Sequence, residues 1–241
     1  MAGARYDVAA EDAGAVSVDA LLAAVAPDTA LVFVANPGNP TGSRVPGAEL
    51  RRLRAGLPKD VLLAVDEAYG EFADHLDSPV FDMVQDRDTV VLRTFSKAYG
   101  LAGMRVGWGL FPPAIAREMR KVLNPNNVTA ASQAAALAAL EDDAYMRETC
   151  RLTANLRDAF IRDLRAAGFD VADSHTNFAL IRFSDAGAAQ SADGALRKAG
   201  LVLRAQGGAG LPRALRATIT GEGALDRVVA TLRNWSSGDR P

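Results

Sequence analysis

Three short stretches carry residue types that could do chemistry together. "RTFSKAYGLAGMRVGWG", residues 93–109, holds Lys97 as the only charge between Arg93 and Arg105, among glycines and small apolar residues. A surface lysine more often sits among polar neighbours. A lysine against apolar backbone can instead be a buried amine whose pKa is lowered for chemistry. "VLLAVDEAY", residues 61–69, ends in Asp66, Glu67 and Tyr69. "NPGNPTG", residues 36–42, presents Asn39 from a loop that prolines and glycines fix. An amine can form a Schiff base with an aldehyde. A carboxylate can hold a protonated pyridine nitrogen, and an asparagine with a tyrosine can bind a phenolic oxygen. Hydroxyls such as those of Thr94 and Ser96, with an arginine, can hold a phosphate dianion. Together these groups describe a pyridoxal 5′-phosphate site. Each stretch alone is more often plain sheet-end structure; their order and shared location carry the argument.

The elements that must position them alternate along the chain. Residues 30–37, 61–69 and 89–96 are near-continuous apolar runs, the pattern of buried strands, and 104–111 adds a fourth before Pro112-Pro113. A helix is expected over 47–58, ending at Gly56 and Pro58. Strands alternating with helices give an α/β fold with a mostly parallel sheet and flanking helices. In such a sheet ligands sit beyond the carboxyl ends of the strands, where the three polar stretches lie. The Ala-rich run 129–146 reads as one soluble helix. A long amphipathic helix follows over 141–167, with Met146, Leu152, Leu156, Phe160 and Leu164 on one face. After Gly168 the pattern changes to short strands, a helix near 186–199 and a last helix from Gly223 to Trp235, a small C-terminal α+β domain.

The chain has 241 residues, 49% hydrophobic and 23% charged, with net charge −2. That is globular composition with material for a sizeable core, and it lacks the basic excess of a nucleic-acid binder. The single cysteine, Cys150, cannot make an internal disulfide, which points to a reducing cytoplasm. No run approaches the roughly 20 apolar residues of a membrane span, and the first ten residues lack the pattern of a signal peptide. No His/Cys/Asp spacing suggests a metal site.

The ordered set "NPGNPTG", "DEAYGEF" and "RTFSKAYGLAGMRVGW" resembles the aspartate aminotransferase superfamily of fold-type I pyridoxal phosphate enzymes. Within it the chain is similar to the histidinol-phosphate aminotransferases, which carry an NPNNPTG loop, a TFSK-GLAG-R-G segment and a late LR-T-G strand. The resemblance implies roles by position. Lys97 would be the Schiff-base lysine and proton carrier, and Asp66 the partner of the pyridine nitrogen. Asn39 and Tyr69 would hold the ring's 3-oxygen. Thr94, Ser96 and Arg105 would bind the cofactor phosphate. Arg216, in "LRATITG", would clamp a substrate carboxylate. Arg204, in "LVLRA", would lie near a substrate phosphate, and Asn177 could touch substrate or cap a turn. The implied organisation is a partial cofactor-binding large domain (1–140), an interdomain helix (141–167) and a small C-terminal domain (168–241). The implied partners are a small-molecule amino donor, a 2-oxo acid and a second copy in a homodimer, with no nucleic acid and no membrane. An aromatic amino-acid transaminase and a threonine-phosphate decarboxylase use the same scaffold and stay open as alternatives. So does a non-catalytic remnant that only dimerises or binds.

Departures from the pattern matter too. Family members carry an earlier segment with a loop at a helix N-terminus that caps the cofactor phosphate, and an aromatic that stacks on the ring. Nothing from Met1 to Ala30 matches it, and "MAGARYDVAA" resembles the strand that follows it. The chain therefore reads as N-terminally truncated: a fragment, a split subunit whose second chain supplies the segment, or a start placed too late. Gly38 stands where asparagine is common, and "NPNNVT" (124–129) lacks the usual aromatic before Asn127. Arg51, Arg52 and Arg54 read as a solvated helix face. His75 and His175 read as loop or core residues, and Trp235 as a packing anchor.

Overall fold

Runs of four to six residues, closed by turn signals, make the strands of a first sheet. The computed structural model describes residues 3–86 and 88–238, which divide into two compact units. The first takes the chain up to Gly38 and Arg44–Met146; the second takes Asn39–Ser43 and the chain from Arg147 onward. In the first unit, α1 (Val18–Ala23) starts on Ser17, whose hydroxyl accepts from the Ala20 amide at 3.2 Å. β1 (Leu31–Ala35), α2 (Gly47–Gly56), β2 (Leu62–Asp66), β3 (Thr89–Thr94) and β4 (Gly107–Leu110) follow, then α3 (Pro113–Val122) and α4 (Ala130–Glu141). The sheet order is β1-β2-β3-β4, with the first three parallel and β4 antiparallel to β3. Ala35 pairs with Asp66 and Asp66 with Leu92, so β1 and β2 end level and β3 runs two residues further. Alternation sends Val32, Val34, Leu63, Val65 and Val91 to the face that α1 and α2 cover with Val18, Leu50 and Leu53. On the other face of β1, Leu31 and Phe33 are 52% and 55% exposed.

Three expectations are corrected here. Residues 3–10 form no strand: Tyr6 and Val8 are exposed and the backbone has no ladder partner. The Ala-rich run is not one helix. It breaks at Asp142, whose φ and ψ of −103° and 55° leave the helical region. α5 (Asp143–Ala166) starts afresh beyond it. Arg54 is not a solvated residue. It is half-buried, and its guanidinium donates to the carbonyls of Val61, Asp88, Leu57 and Pro58, tying the end of α2 to the loops before β2 and β3.

The second unit is an antiparallel sheet, order β5-β6-β8-β7, of β5 (Asp170–Val171), β6 (Phe178–Arg182), β7 (Arg204–Gln206) and β8 (Leu211–Thr218). Its helices are the later part of α5, α6 (Ala186–Lys198) and α7 (Glu222–Ser236). Asp185 caps α6, accepting from the Ala188 amide at 2.8 Å. Leu164 of α5, Ile181, Leu196, Leu215 and Leu232 are fully buried in its core. Only the C-terminal half of the long amphipathic stripe reaches that core; Leu152 is 47% exposed. Trp235 stacks on Phe169, with ring centroids 6.3 Å apart.

Candidate active site

The candidate residues of the first unit lie where its strands end. Asp66 is the last residue of β2, half-buried, with Oδ1 accepting from the Ala68 amide at 2.9 Å. That turn leads to Tyr69, which is buried, and Lys97 Nζ stands 5.4 Å from the centroid of the Tyr69 ring. Lys97 is half-buried, not the enclosed amine its surroundings suggested. Thr94 ends β3, and its hydroxyl accepts from the Ser96 amide at 3.1 Å. After Lys97 the chain turns at Gly100, whose φ of 69° disfavours a side chain. It reaches Arg105, which is also left-handed, at φ 51°. That conformation brings Arg105 Nη1 back to donate to Ser96 Oγ at 3.3 Å and to the Ala102 carbonyl at 2.8 Å. Two hydroxyls and a guanidinium gathered this way suit an anion with several oxygens. The structure thus places Asp66 and Tyr69 at and just after the end of β2, and Thr94, Ser96, Lys97 and Arg105 at and after the end of β3, with the Lys97 amine near the Tyr69 ring.

The second unit gathers Asn39, Arg216, Arg204 and Asn177. Asn39 is exposed and accepts through Oδ1 from Arg216 Nη1 at 2.5 Å. The Asn36-Pro37 and Asn39-Pro40 bonds are both cis. Gly42, at φ 76°, accepts at its carbonyl from the His175 amide at 2.8 Å. Arg216 lies over the Phe178 ring at 4.7 Å. Arg204 is its direct cross-strand partner in the β7–β8 register, so the two cations share a face. Asn177 is half-buried, and its carbonyl accepts from Ile219, extending the β6–β8 ladder by one bond at 2.8 Å.

Behind the first group lies a buried cluster that sequence reasoning did not assign. Arg93 donates to Glu67 Oε2 from Nε at 2.9 Å and from Nη2 at 2.7 Å. It also makes a two-bond pair with Asp74, both at 2.7 Å, and Glu71 Oε1 stands 3.5 Å from Nη1. Burial raises the Glu71 carboxyl to about 7, against the opposing pull of Arg93. Burial likewise raises Glu67. The signal was period-2 alternation: Glu67 follows Asp66 and Arg93 precedes Thr94, so both face the helix-covered side. Among the described residues no cluster of His, Cys, Asp or Glu could hold a metal ion. No helix among them is long and apolar enough to cross a membrane.

The family signature of aminotransferase class I and II spans residues 2–232. A histidinol-phosphate aminotransferase of Jannaschia sp. (strain CCS1) is 41% identical over 232 residues, covering 96% of this chain and 64% of the relative. One from Rhodospirillum centenum is 42% identical, covering 97% and 68%. The crystal structure of histidinol-phosphate aminotransferase from Sinorhizobium meliloti, in complex with pyridoxal-5′-phosphate, superposes with a TM-score of 0.85. It is 33% identical and covers 93% of this chain and 62% of that one. The chain thus spans about two thirds of the length of the relatives it matches.

Proposed function

This chain belongs to the aminotransferase class I and II family, and on that premise we propose that it acts in a pyridoxal 5′-phosphate-dependent transamination. The reaction we assign is histidinol phosphate plus 2-oxoglutarate to imidazole acetol phosphate plus glutamate, a step of histidine biosynthesis in the cytoplasm. Relatives of that name, about 40% identical over nearly the whole chain, favour it over aromatic amino acids or threonine phosphate. The observation that carries the reading is the Lys97 amine beside Tyr69, one turn from the Thr94–Ser96–Arg105 group.

Pyridoxal 5′-phosphate, when bound, supplies an aldehyde and a ring that withdraws electrons from the substrate carbon. The donor set fits it: a carboxylate for the ring nitrogen, a phenol and an amide for the ring oxygen, and hydroxyls with a guanidinium for the phosphate. Lys97 would be the nucleophile toward that aldehyde, and its Nζ would carry the substrate proton. Asp66 would hold a proton on the ring nitrogen. Asn39 and Tyr69 would hold the ring oxygen; Thr94 and Ser96 would donate hydrogen bonds to the phosphate, and Arg105 would neutralise it. Arg216 would bind the substrate carboxylate of glutamate and Arg204 the substrate phosphate, and Asn177 would touch substrate. Like charges directly across a ladder are unfavourable unless an anion joins them, which supports the pairing of those two arginines with acidic substrates.

The reading includes a homodimer. Val122 of α3 and Leu137 and Leu140 of α4 are exposed apolar side chains that a second copy can cover. It also includes a further segment, in cis or as a second chain, that completes the phosphate cradle; the open face at Leu31 and Phe33 supports it. The test is borohydride reduction of the chain mixed with pyridoxal 5′-phosphate, followed by peptide mass mapping. The expected product is one cofactor mass fixed on Lys97 and absent from Lys97→Ala. Cofactor trapped equally in the alanine variant would sink the assignment.

A further inference from the structure

Asp66 and Thr94 each have a chain neighbour on the opposite face of the sheet, and those neighbours are joined. The Arg93 guanidinium spends one edge on Glu67 and another on Asp74, with four bonds between 2.7 and 2.9 Å. A lysine has the charge but not the planar fork that makes both pairs at once. Glu67 and Asp74 are the two ends of the loop that carries Tyr69, so one cation holds both ends of that loop. The loop also runs tight against the cation: a Cβ at Gly70 would lie 2.7 Å from Arg93 Nη2. Phe81 closes the other side, its ring centroid 4.8 Å from Arg93 Cζ. Arg93 and Glu67 side chains are only 5% and 7% exposed, leaving little room for another arrangement. A buried ion pair of this kind adds little net stability, because desolvation offsets the attraction, but it can fix a geometry.

We propose that Arg93 is a positioning residue for the site: by pinning Glu67 and Asp74 it fixes the loop between them and sets where Tyr69 stands relative to Lys97. The inference rests on the reading of Lys97 and Tyr69 as site residues given above. Arg93 touches neither cofactor nor substrate; it acts through Tyr69.

The test compares the wild-type chain, Arg93→Lys, Tyr69→Phe and the double variant, with Asp74→Asn as the milder change should Arg93→Lys fail to fold. The first readout needs no cofactor: hydrogen exchange of the backbone amides over residues 67–74. Arg93→Lys is expected to speed it about tenfold there and to leave α7 unchanged. The second is the pH midpoint of the near-visible absorption of pyridoxal 5′-phosphate held on Lys97. Arg93→Lys is expected to move it by about one pH unit, the displacement a lost hydrogen bond to the chromophore produces. The double variant should move no further than Tyr69→Phe alone. Faster exchange with an unmoved midpoint would reduce Arg93 to a structural residue and overturn the inference. So would unchanged exchange, or full additivity in the double variant. Absence of the absorption from the wild-type chain would instead count against the reading of Lys97, and exchange over 67–74 would then decide alone whether Arg93 holds the loop.

Discussion

Glu71→Gln should stabilise the protein in mildly alkaline buffer and leave it unchanged in acid. The Glu71 side chain is 3% exposed, and its Oε2 has no hydrogen-bond partner among the described residues. Arg93 is the cation nearest it, and Glu67 and Asp74 already use that guanidinium. Three carboxylates around one cation cannot all ionise cheaply in a buried setting. Burial lifts Glu71 from 4.5 to about 7, so the folded chain keeps its proton where the unfolded chain has lost it. Stability from this group is full below 4.5 and is lost as pH rises from there to about 7. At about 1.4 kcal/mol per pH unit, that displacement is worth up to about 3 kcal/mol. Glutamine keeps the shape and never ionises, so it should match the wild type at pH ~5 and exceed it by about 1–3 kcal/mol at pH ~8. Urea unfolding at both pH values measures this. Trp108, which packs edge-on to Phe81 at 5.6 Å, serves as the reporter in a Trp235→Phe background. Parallel stability-against-pH curves for the two proteins would refute the reasoning, since Glu71 would then titrate in the folded chain where it does in the unfolded one.

Asp66→Asn should leave the fold intact, because the amide oxygen can still accept from Ala68. It should slow transamination by at least tenfold, since an amide cannot hold the ring proton; unchanged single-turnover rates would remove Asp66 from the site. Arg204→Ala should raise KM chiefly for a phosphorylated amine, whereas Arg216→Ala should raise it for glutamate, and equal losses on both would contradict their separate roles. Gly42→Ala should cost about 2 kcal/mol in thermal unfolding, because the new Cβ would lie 2.8 Å from Ser174 Cβ at a φ of 76°.

The strands and their polar ends were legible because each rests on local pattern. β1, β2 and β3 fall inside the runs 30–37, 61–69 and 89–96, and Asp66 and Thr94 are the last residues of their strands. Those runs are apolar and closed by loops, a signal that needs no distant partner. What escaped depends on partners far along the chain. Arg54 looked solvated because the carbonyl of Asp88, 34 residues away, is not written in the helix pattern. Arg93 meets Glu67 across 26 residues, and a charge in a strand reads the same whether it faces water or a buried carboxylate. The helix over 129–146 and the helix over 141–167 overlap in the sequence reading, and alanine-rich sequence favours helix on both sides of Asp142, so propensity alone does not resolve the break there.

The five residues Asn39–Ser43 belong to the second unit although the chain on either side of them belongs to the first. Protein synthesis runs from one end, so this tip leaves the ribosome long before what it docks on. Asn39 bonds to Arg216, 177 residues later. At ~5–20 residues per second, the tip waits roughly 10–35 s for that partner to be made. Through that interval the first sheet can close locally while the loop carrying Asn39 stays undocked. Closing so long a span is also slow by contact order. The second unit cannot be lifted out as a single contiguous piece either: a fragment beginning at Arg147 lacks the Gly42 carbonyl that the His175 amide needs. A chain stalled or clipped before β8 would leave Asn39 without the Arg216 guanidinium it bonds.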